Sequence, residues 1–202
     1  MKNKIVLLFI LLISISGISQ NRIGVFVGYN NSVLGEGFLK NIEGLGVIQD
    51  SNARKAFHIG GLFELELNDL VTFRPKLVFS LQGDNPNYKS TYRGFKNYGL
   101  SYLNIPLSFK FFSKPSIIIG PQVGILLGTE KGDVDFGDIE KTLDFGVNFG
   151  VGYDINNFFL ELNFYQGIQT IITVSRPSFP EGRTDDITNT VLQFSIGYYF
   201  IK

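Results

Sequence analysis

Residues 63–79 read FELELNDLVTFRPKLVF, and in this stretch the character of a side chain depends on whether its residue number is odd or even. The even-numbered charged residues are Glu64, Glu66, Arg74 and Lys76. The odd-numbered apolar residues are Phe63, Leu65, Leu67, Val71, Phe73, Leu77 and Phe79. Because successive side chains of a β-strand point to opposite faces, the stretch predicts a hairpin with one apolar and one charged face.

The register of this hairpin depends on where its loop lies. A loop of residues 68–70 places Glu64 opposite Arg74, whereas a loop of residues 69–71 pairs Glu66 with Arg74 and Glu64 with Lys76. Both registers set acids against bases on the charged face.

The same alternation recurs from Ile23 to Phe200, and no helical periodicity of comparable length follows the first 20 residues. It marks eight segments, at about residues 22–33, 55–67, 71–83, 98–112, 116–129, 142–155, 158–173 and 188–201. Each segment is long enough to cross a bilayer as a tilted strand, which takes about 9–11 residues.

The polar face of these segments is rich in glycine and neutral amides, as residues 143–153 (LDFGVNFGVGY) illustrate. A soluble sandwich would instead turn its apolar face inward and expose a charged face to water. Small inward side chains suit a narrow barrel interior, and a large apolar outer face suits lipid.

The links between segments alternate in length. Short links at residues 68–70, 113–115 and 156–157 alternate with long ones, at about 34–54, 84–97, 130–141 and 174–187. Bacterial outer membrane barrels have this arrangement of short periplasmic turns and long extracellular loops. The sequence therefore predicts an all-β, eight-stranded antiparallel transmembrane barrel of up-and-down topology. Its first and last strands must pair, because an open edge in hydrocarbon leaves unpaired amides.

Two details of strand pairing can be predicted further. The three-residue and two-residue links at 113–115 and 156–157 should pair Phe111 with Ile117 and Tyr153 with Leu160, since paired residues face the same side. Three prolines fall inside strands, where each removes a ladder donor, so we expect bulges or water at Pro75, Pro106 and Pro121.

The N-terminus has the pattern of a cleaved secretory signal peptide over residues 1–19. Lys2 and Lys4 precede an apolar run from Ile5 to Ile13, and the small residue Ser19 stands before the expected cut. The barrel domain is thus expected at 20–202, in the outer membrane of a Gram-negative bacterium.

Composition excludes several classes of function. The chain has no cysteine, which excludes disulfides and thiolate metal sites, and its single histidine makes a metal centre unexpected. Lysine plus arginine balances aspartate plus glutamate at 18 each, so net charge provides no argument for nucleic acid binding. We expect no cofactor.

Four stretches carry a resemblance to a known family. They are IGVFVGYNNS (23–32), YLNIPLSFKFF (102–112), DFGVNFGVGYDI (144–155) and QFSIGYYFIK (193–202). Together they resemble the PorT-like outer membrane β-barrel family, small porin-family proteins of Bacteroidetes type, over essentially the whole expected mature chain. The resemblance implies an eight-stranded outer membrane barrel, mostly of unassigned activity, with some relatives linked to protein secretion or gliding machinery. It implies no catalytic residues.

Parity assigns a set of polar side chains to the barrel interior. The set is Glu64, Glu66, Arg74, Lys76, Asn104, Lys110, Gln122, Asp144, Asn148, Glu161, Asn163, Tyr165 and Gln193. An eight-stranded barrel is just wide enough for side chains to fill it, which favours a packed network of salt bridges and hydrogen bonds. A selective pore or proton path is the alternative.

His58 has inward parity and raises the alternative of an outer-leaflet, lipid-modifying hydrolase. Such an enzyme needs a serine and an acid beside the histidine, and Ser80 and Glu64 share its parity. Their spacing specifies no triad, so an interior histidine satisfied by hydrogen bonds is favoured.

Two of the long links differ in charge. The second is basic and aromatic, a composition favoured at binding surfaces, through Tyr88, Lys89, Tyr92, Arg93 and Lys96. It could contact lipopolysaccharide phosphates or a protein partner. The third is acidic, through Glu130, Asp133, Asp135, Asp138 and Glu140, and could hold calcium weakly.

Together these patterns predict a monomer, surrounded by outer membrane lipid and lipopolysaccharide, with a structural, adhesion or binding role through its extracellular loops. A small-solute porin or a barrel component of a secretion assembly is the first alternative, and the hydrolase is the second.

Overall fold

The computed structural model describes residues 21–35, 53–85, 98–131, 139, 141–176 and 183–201. The expected signal peptide lies outside this part of the chain. So do the basic residues of the second long link and most acidic residues of the third, namely Tyr88, Lys89, Tyr92, Arg93, Lys96, Asp133, Asp135, Asp138 and Glu140. Within the described residues, no helix is both long and apolar enough to span a membrane.

Nine β-strands make up the described secondary structure. They are β1 (Arg22–Gly35), β2 (Arg54–Asn68), β3 (Val71–Gly83), β4 (Tyr98–Phe111), β5 (Ser116–Lys131), β6 (Leu143–Ile155), β7 (Phe158–Gly167), β8 (Ile172–Arg176) and β9 (Arg183–Ile201).

Eight of these strands close into a barrel, and all neighbours are antiparallel. Each strand from β1 to β6 pairs with the next in sequence, β7 pairs with β9, and β9 returns to β1 from Ile23 to Gly35. The short β8 pairs with the start of β9, from Ile172 opposite Ile187 to Arg176 opposite Arg183. The predicted eight-stranded antiparallel barrel is therefore confirmed. Closure gives each wall strand two partners, as lipid requires.

The region around β7 and β8 differs from the prediction. The seventh segment was expected to run to residue 173, but β7 ends at Gly167, and the last strand begins at Arg183 instead of 188. The alternation of apolar and polar residues continues past Gly167, so the sequence does not indicate that β7 ends there. Ile171 and Ile172 leave the wall and pack on the barrel residues Tyr98 and Leu100, so burial in an apolar cluster decides their position.

The hairpin of β2 and β3 adopts the first of the two predicted registers. Leu65 lies opposite Phe73, which sets Glu64 beside Arg74, so pairing of Glu66 with Arg74 is wrong. The Asn68 side-chain oxygen accepts the backbone N–H groups of residues 70 and 71 at 2.9 Å each, an Asx turn that stabilises this loop. A register shift between residues 66 and 68 absorbs one extra residue.

The other predicted pairings can be compared directly. Phe111 lies opposite Ile117, and Tyr153 lies opposite Leu160, so both are confirmed. The turn before β7 places Asn156 at φ 56°, a left-handed conformation that asparagine tolerates.

Bulges do not form at the three strand prolines. The register runs unshifted past Pro75, Pro106 and Pro121. The shift between β4 and β5 falls at residues 101 and 102 instead, near the long-link end of the barrel. The expectation of bulges at the prolines is therefore wrong, because a strand can omit one N–H donor without changing its pairing, while water at these positions stays a prediction.

The two faces of the wall differ as the alternation predicts. Val147, Phe149 and Val151 on β6 are 41–50% exposed, whereas Asn148 between them is 3% exposed. The outer face is thus apolar around the barrel, and polar side chains fill the interior.

Candidate functional site

A cluster of seven ionisable side chains crosses the barrel interior. We call it the central charge cluster; its members are Arg22, Glu64, Arg74, Lys76, Lys110, Asp154 and Glu161. Each points inward because it occupies the inward parity of its strand.

Arg74 connects opposite walls within this cluster. Its Nε lies 3.0 Å from Glu64 Oε1 on the neighbouring strand, and its guanidinium also pairs with Glu161 on β7. Lys76 pairs with the same Glu161 carboxylate. In the ring of eight wall strands, β3 and β7 are four positions apart, so these ion pairs span the interior.

Toward the short turns, Lys110 and Arg22 complete the cluster. Lys110 Nζ lies 2.6 Å from Asp154 Oδ2 and 3.4 Å from Glu64 Oε1. The Arg22 guanidinium contacts the same two carboxylates, at 2.5 Å from Glu64 and 3.2 Å from Asp154. Apart from Arg22, the members of the cluster are buried. An unpaired charge would be very costly there, so each member depends on its partners.

Apolar side chains pack around these charges. The group, here the middle apolar cluster, is Phe26, Leu62, Val78, Phe159 and Tyr199. Arg74 Cζ lies 4.7 Å from the centre of the Phe159 ring, and Arg22 Cζ lies 4.4 Å from the Tyr199 ring, as in cation–π contacts. The Tyr199 hydroxyl donates to Glu64 Oε1 at 2.8 Å.

A hydrogen-bonded layer around His58 lies above the charges. His58 Nδ1 is 2.7 Å from Asn30 Oδ1, and Nε2 is 2.8 Å from Ser195 Oγ. Gln193 donates to the same Asn30 oxygen, and Ser80 accepts from the Asn30 amide. The combination of His58 with Ser80 and Glu64 is not assembled, since Glu64 belongs to the charge cluster. His58 and Ser195 are both buried among interior side chains.

Amides and one carboxylate continue toward the long links. Asn148 donates to Gln122 at 3.1 Å, and Asn104 is buried beside them. Asp144 is buried facing Tyr165 and other polar side chains. Asn163 donates to Glu161 and joins this layer to the charges.

An apolar cluster closes the end of the interior near the long links. This loop-side apolar cluster comprises Tyr98, Leu100, Tyr102, Ile171 and Ile172, with Leu34, Leu126, Ile139 and Ile187 packed against it. Its residues come from both the wall strands and the segment that leaves β7.

A cavity of about 550 Å³ lies at the opposite end, among the short turns. We call it the turn-side cavity; its lining residues are Arg22, Glu64, Glu66, Asp69, Leu70, Thr72, Lys110, Phe112 and Ser113. Glu66 was predicted to join the interior network, but it is only half-buried and lies opposite Thr72 at this cavity.

Strand parity therefore predicted which polar side chains lie inside the barrel more accurately than it predicted which of them pair with one another. The other predicted interior residues are all buried. Arg22 and Asp154 were missed, although both have inward parity on their strands. Extending the parity rule to the strand ends would have found them. Among the described residues, no group of three or more histidine or acidic side chains could hold a metal ion.

Residues 18–173 match the family model described as outer membrane protein beta-barrel domain. The chain belongs to this family. The membership and the closed barrel with its apolar outer face establish a small outer membrane β-barrel protein. No curated protein matches the chain.

Several solved structures are similar to this outer membrane barrel. Neisserial surface protein A is 12% identical, with a TM-score of 0.47, and the match covers 89% of this chain and 97% of that one. Ail, the attachment invasion locus protein of Yersinia pestis, solved with the heparin analogue sucrose octasulfate, is 13% identical at TM-score 0.46, covering 90% and 99%. The outer membrane protein AlkL is 14% identical at TM-score 0.44, covering 92% and 93%.

Proposed function

We propose that this outer membrane protein is a non-conducting barrel whose extracellular loops provide a structural, adhesion or binding surface. The observation that carries the proposal is the pairing of Arg74 and Lys76 on β3 with Glu161 on the opposite strand β7. These side chains occupy the axis along which a solute would have to pass.

The energetics of this arrangement favour a plug. A permeating ion would have to separate buried ion pairs, and an unpaired buried charge costs several kcal/mol. The middle and loop-side apolar clusters add layers of mainly aliphatic and aromatic side chains to the interior. Such layers are costly for a permeating ion to cross. A small-solute porin needs a continuous polar path, and these layers argue against one.

The loops are the remaining candidates for a working surface. The second long link combines Tyr88, Tyr92, Lys89, Arg93 and Lys96, which together suit lipopolysaccharide phosphates or an acidic protein surface. The sequence resemblance to the PorT-like family, some of whose members are linked to protein secretion, supports binding to other proteins of a secretion assembly. We take the protein to be a monomer, because the barrel closes on itself.

Planar-bilayer recordings test the non-conducting state. The refolded full chain should show no stable conductance steps, because its interior is filled. Reproducible steps in the wild-type protein that change with Arg74→Ser would contradict the proposal and favour a pore. Ser101→Ala, which changes an outward-facing side chain near the barrel rim, is the control for refolding and insertion.

Binding to lipopolysaccharide micelles tests the loop surface. The triple variant Lys89→Ala, Arg93→Ala, Lys96→Ala should weaken binding, and salt should reduce the wild-type affinity more than that of the variant. Lys114→Ala, an exposed lysine in a short turn, is the control. Equal binding by the triple variant would exclude these cations as the lipopolysaccharide contact.

A further inference from the structure

The turn-side cavity has the size of a ligand site and a floor of buried charge. Its volume of about 550 Å³ falls within the range of small-molecule pockets, about 300–1,000 Å³. Glu64 and Lys110 form its buried floor, while Glu66 and Asp69 line it nearer the surface. The cavity is therefore continuous with the central charge cluster.

Paired and unpaired charges are separated along the cavity. The cations that line it, Lys110 and Arg22, are both paired with the carboxylates of Glu64 and Asp154. At the mouth are the two carboxylates of Glu66 and Asp69, with which no cation of the described residues forms an ion pair. The cavity thus has its cations toward the interior and its unpaired carboxylates at the mouth.

Both cations that line the cavity keep hydrogen-bond donors beyond those used within the cluster. The Lys110 ammonium has three N–H groups and contacts two carboxylates. Arg22 has five N–H groups, contacts the same two carboxylates, and is the most exposed member of the cluster. These donors can take an incoming anion without losing the existing pairs.

The lip of the cavity is apolar and conformationally constrained. Leu70 and Phe112 line it, and the backbone N–H of Phe112 donates to the Leu70 carbonyl at 2.9 Å, joining two turns. Phe112 has φ 63°, an unfavourable conformation for a bulky residue. The lip therefore presents apolar surface to whatever occupies the mouth.

We propose that the turn-side cavity binds a zwitterionic solute, a free amino acid or short peptide. Its carboxylate lies toward Lys110 and Arg22, and its ammonium group lies between Glu66 and Asp69. Leu70 and Phe112 contact its apolar side chain. This site is at the opposite end of the barrel from the long loops, so it goes beyond the proposed function.

Trialanine titrated into the full chain in detergent micelles tests the proposal by calorimetry. N-acetyl-trialanine lacks the ammonium group, and trialanine amide lacks the carboxylate. We expect each blocked peptide to bind at least about tenfold more weakly than trialanine, because each loses one charged contact. The double variant Glu66→Gln, Asp69→Asn should bind trialanine no better than the wild type binds N-acetyl-trialanine.

A matched double variant at the other end of the barrel, Glu130→Gln with Asp186→Asn, should bind trialanine as the wild type does. Absence of trialanine binding, equal binding of the blocked peptides, or equal loss in the control variant would overturn the proposal. Conductance measures a different property, so either proposal can fail while the other stands.

Discussion

Arg74 on β3 and Glu161 on β7 form an ion pair across the barrel interior, between strands that lie four positions apart in the ring of wall strands. Glu161 also pairs with Lys76. One carboxylate therefore compensates two buried cations, and it joins opposite walls that the strand ladder does not connect directly.

Removing the Glu161 charge should destabilise the barrel strongly. Glu161→Gln leaves Arg74 and Lys76 without their shared acid, and breaking a buried pair costs about 3–5 kcal/mol. The free energy of unfolding in urea, measured by circular dichroism in lipid vesicles, checks this. Glu130→Gln is the matched control, because Glu130 pairs with Arg54 but is 62% exposed, so its loss should cost under about 1 kcal/mol. Similar losses for both variants would show that the central charge cluster adds no special stability.

Two glycines of β5, the buried Gly120 and the exposed Gly128, should differ in their tolerance of alanine. A Cβ at Gly120 would lie 2.3 Å from the Leu107 carbonyl oxygen and 2.6 Å from Ser108 Cα, which are backbone atoms of β4. Gly120→Ala should therefore cost about 1–3 kcal/mol by overpacking. A Cβ at Gly128 meets nothing within 4 Å, so Gly128→Ala should change stability by less than about 0.5 kcal/mol. Equal unfolding free energies for the two variants would contradict this packing.

The positive φ of Phe112 predicts an unusual order of stability. Phe112→Ala and Phe112→Gly both remove the ring, but only glycine adopts φ 63° without steric cost. The glycine variant should be more stable than the alanine variant by about 1 kcal/mol. Urea unfolding of the two variants measures the difference, and a more stable alanine variant would show that this turn has another conformation.

The apolar outer face predicts a depth-dependent cost for charge. Leu107 is 38% exposed on the outer face of β4, and Leu107→Arg in lipid vesicles should cost about 2–4 kcal/mol of unfolding free energy. Leu107→Met keeps an apolar side chain of similar volume and should cost under about 1.5 kcal/mol. If arginine were tolerated as well as methionine, residue 107 would not face hydrocarbon.

Local alternation explains which features of the barrel are predictable from the sequence. The inward position of Glu64, Arg74 and Lys76 follows from strand parity, because each residue reverses the side-chain direction of the one before it. The short links set the hairpin registers by the same rule. The end of β7 could not be predicted, because the apolar pattern continues through Ile171 and Ile172 while the chain leaves the wall.

Residue patterns along the chain are enough to specify strands with an apolar and a polar face, eight membrane crossings, and the inward position of Glu64, Arg74 and Lys76. These properties depend on neighbouring residues and on loop length. The closed barrel is needed to see that Lys76 pairs with Glu161, that Arg22 and Asp154 join the central charge cluster, and that Glu66 faces a cavity. Contacts across a closed interior depend on the stagger and diameter of the whole ring of strands, which no single hairpin contains.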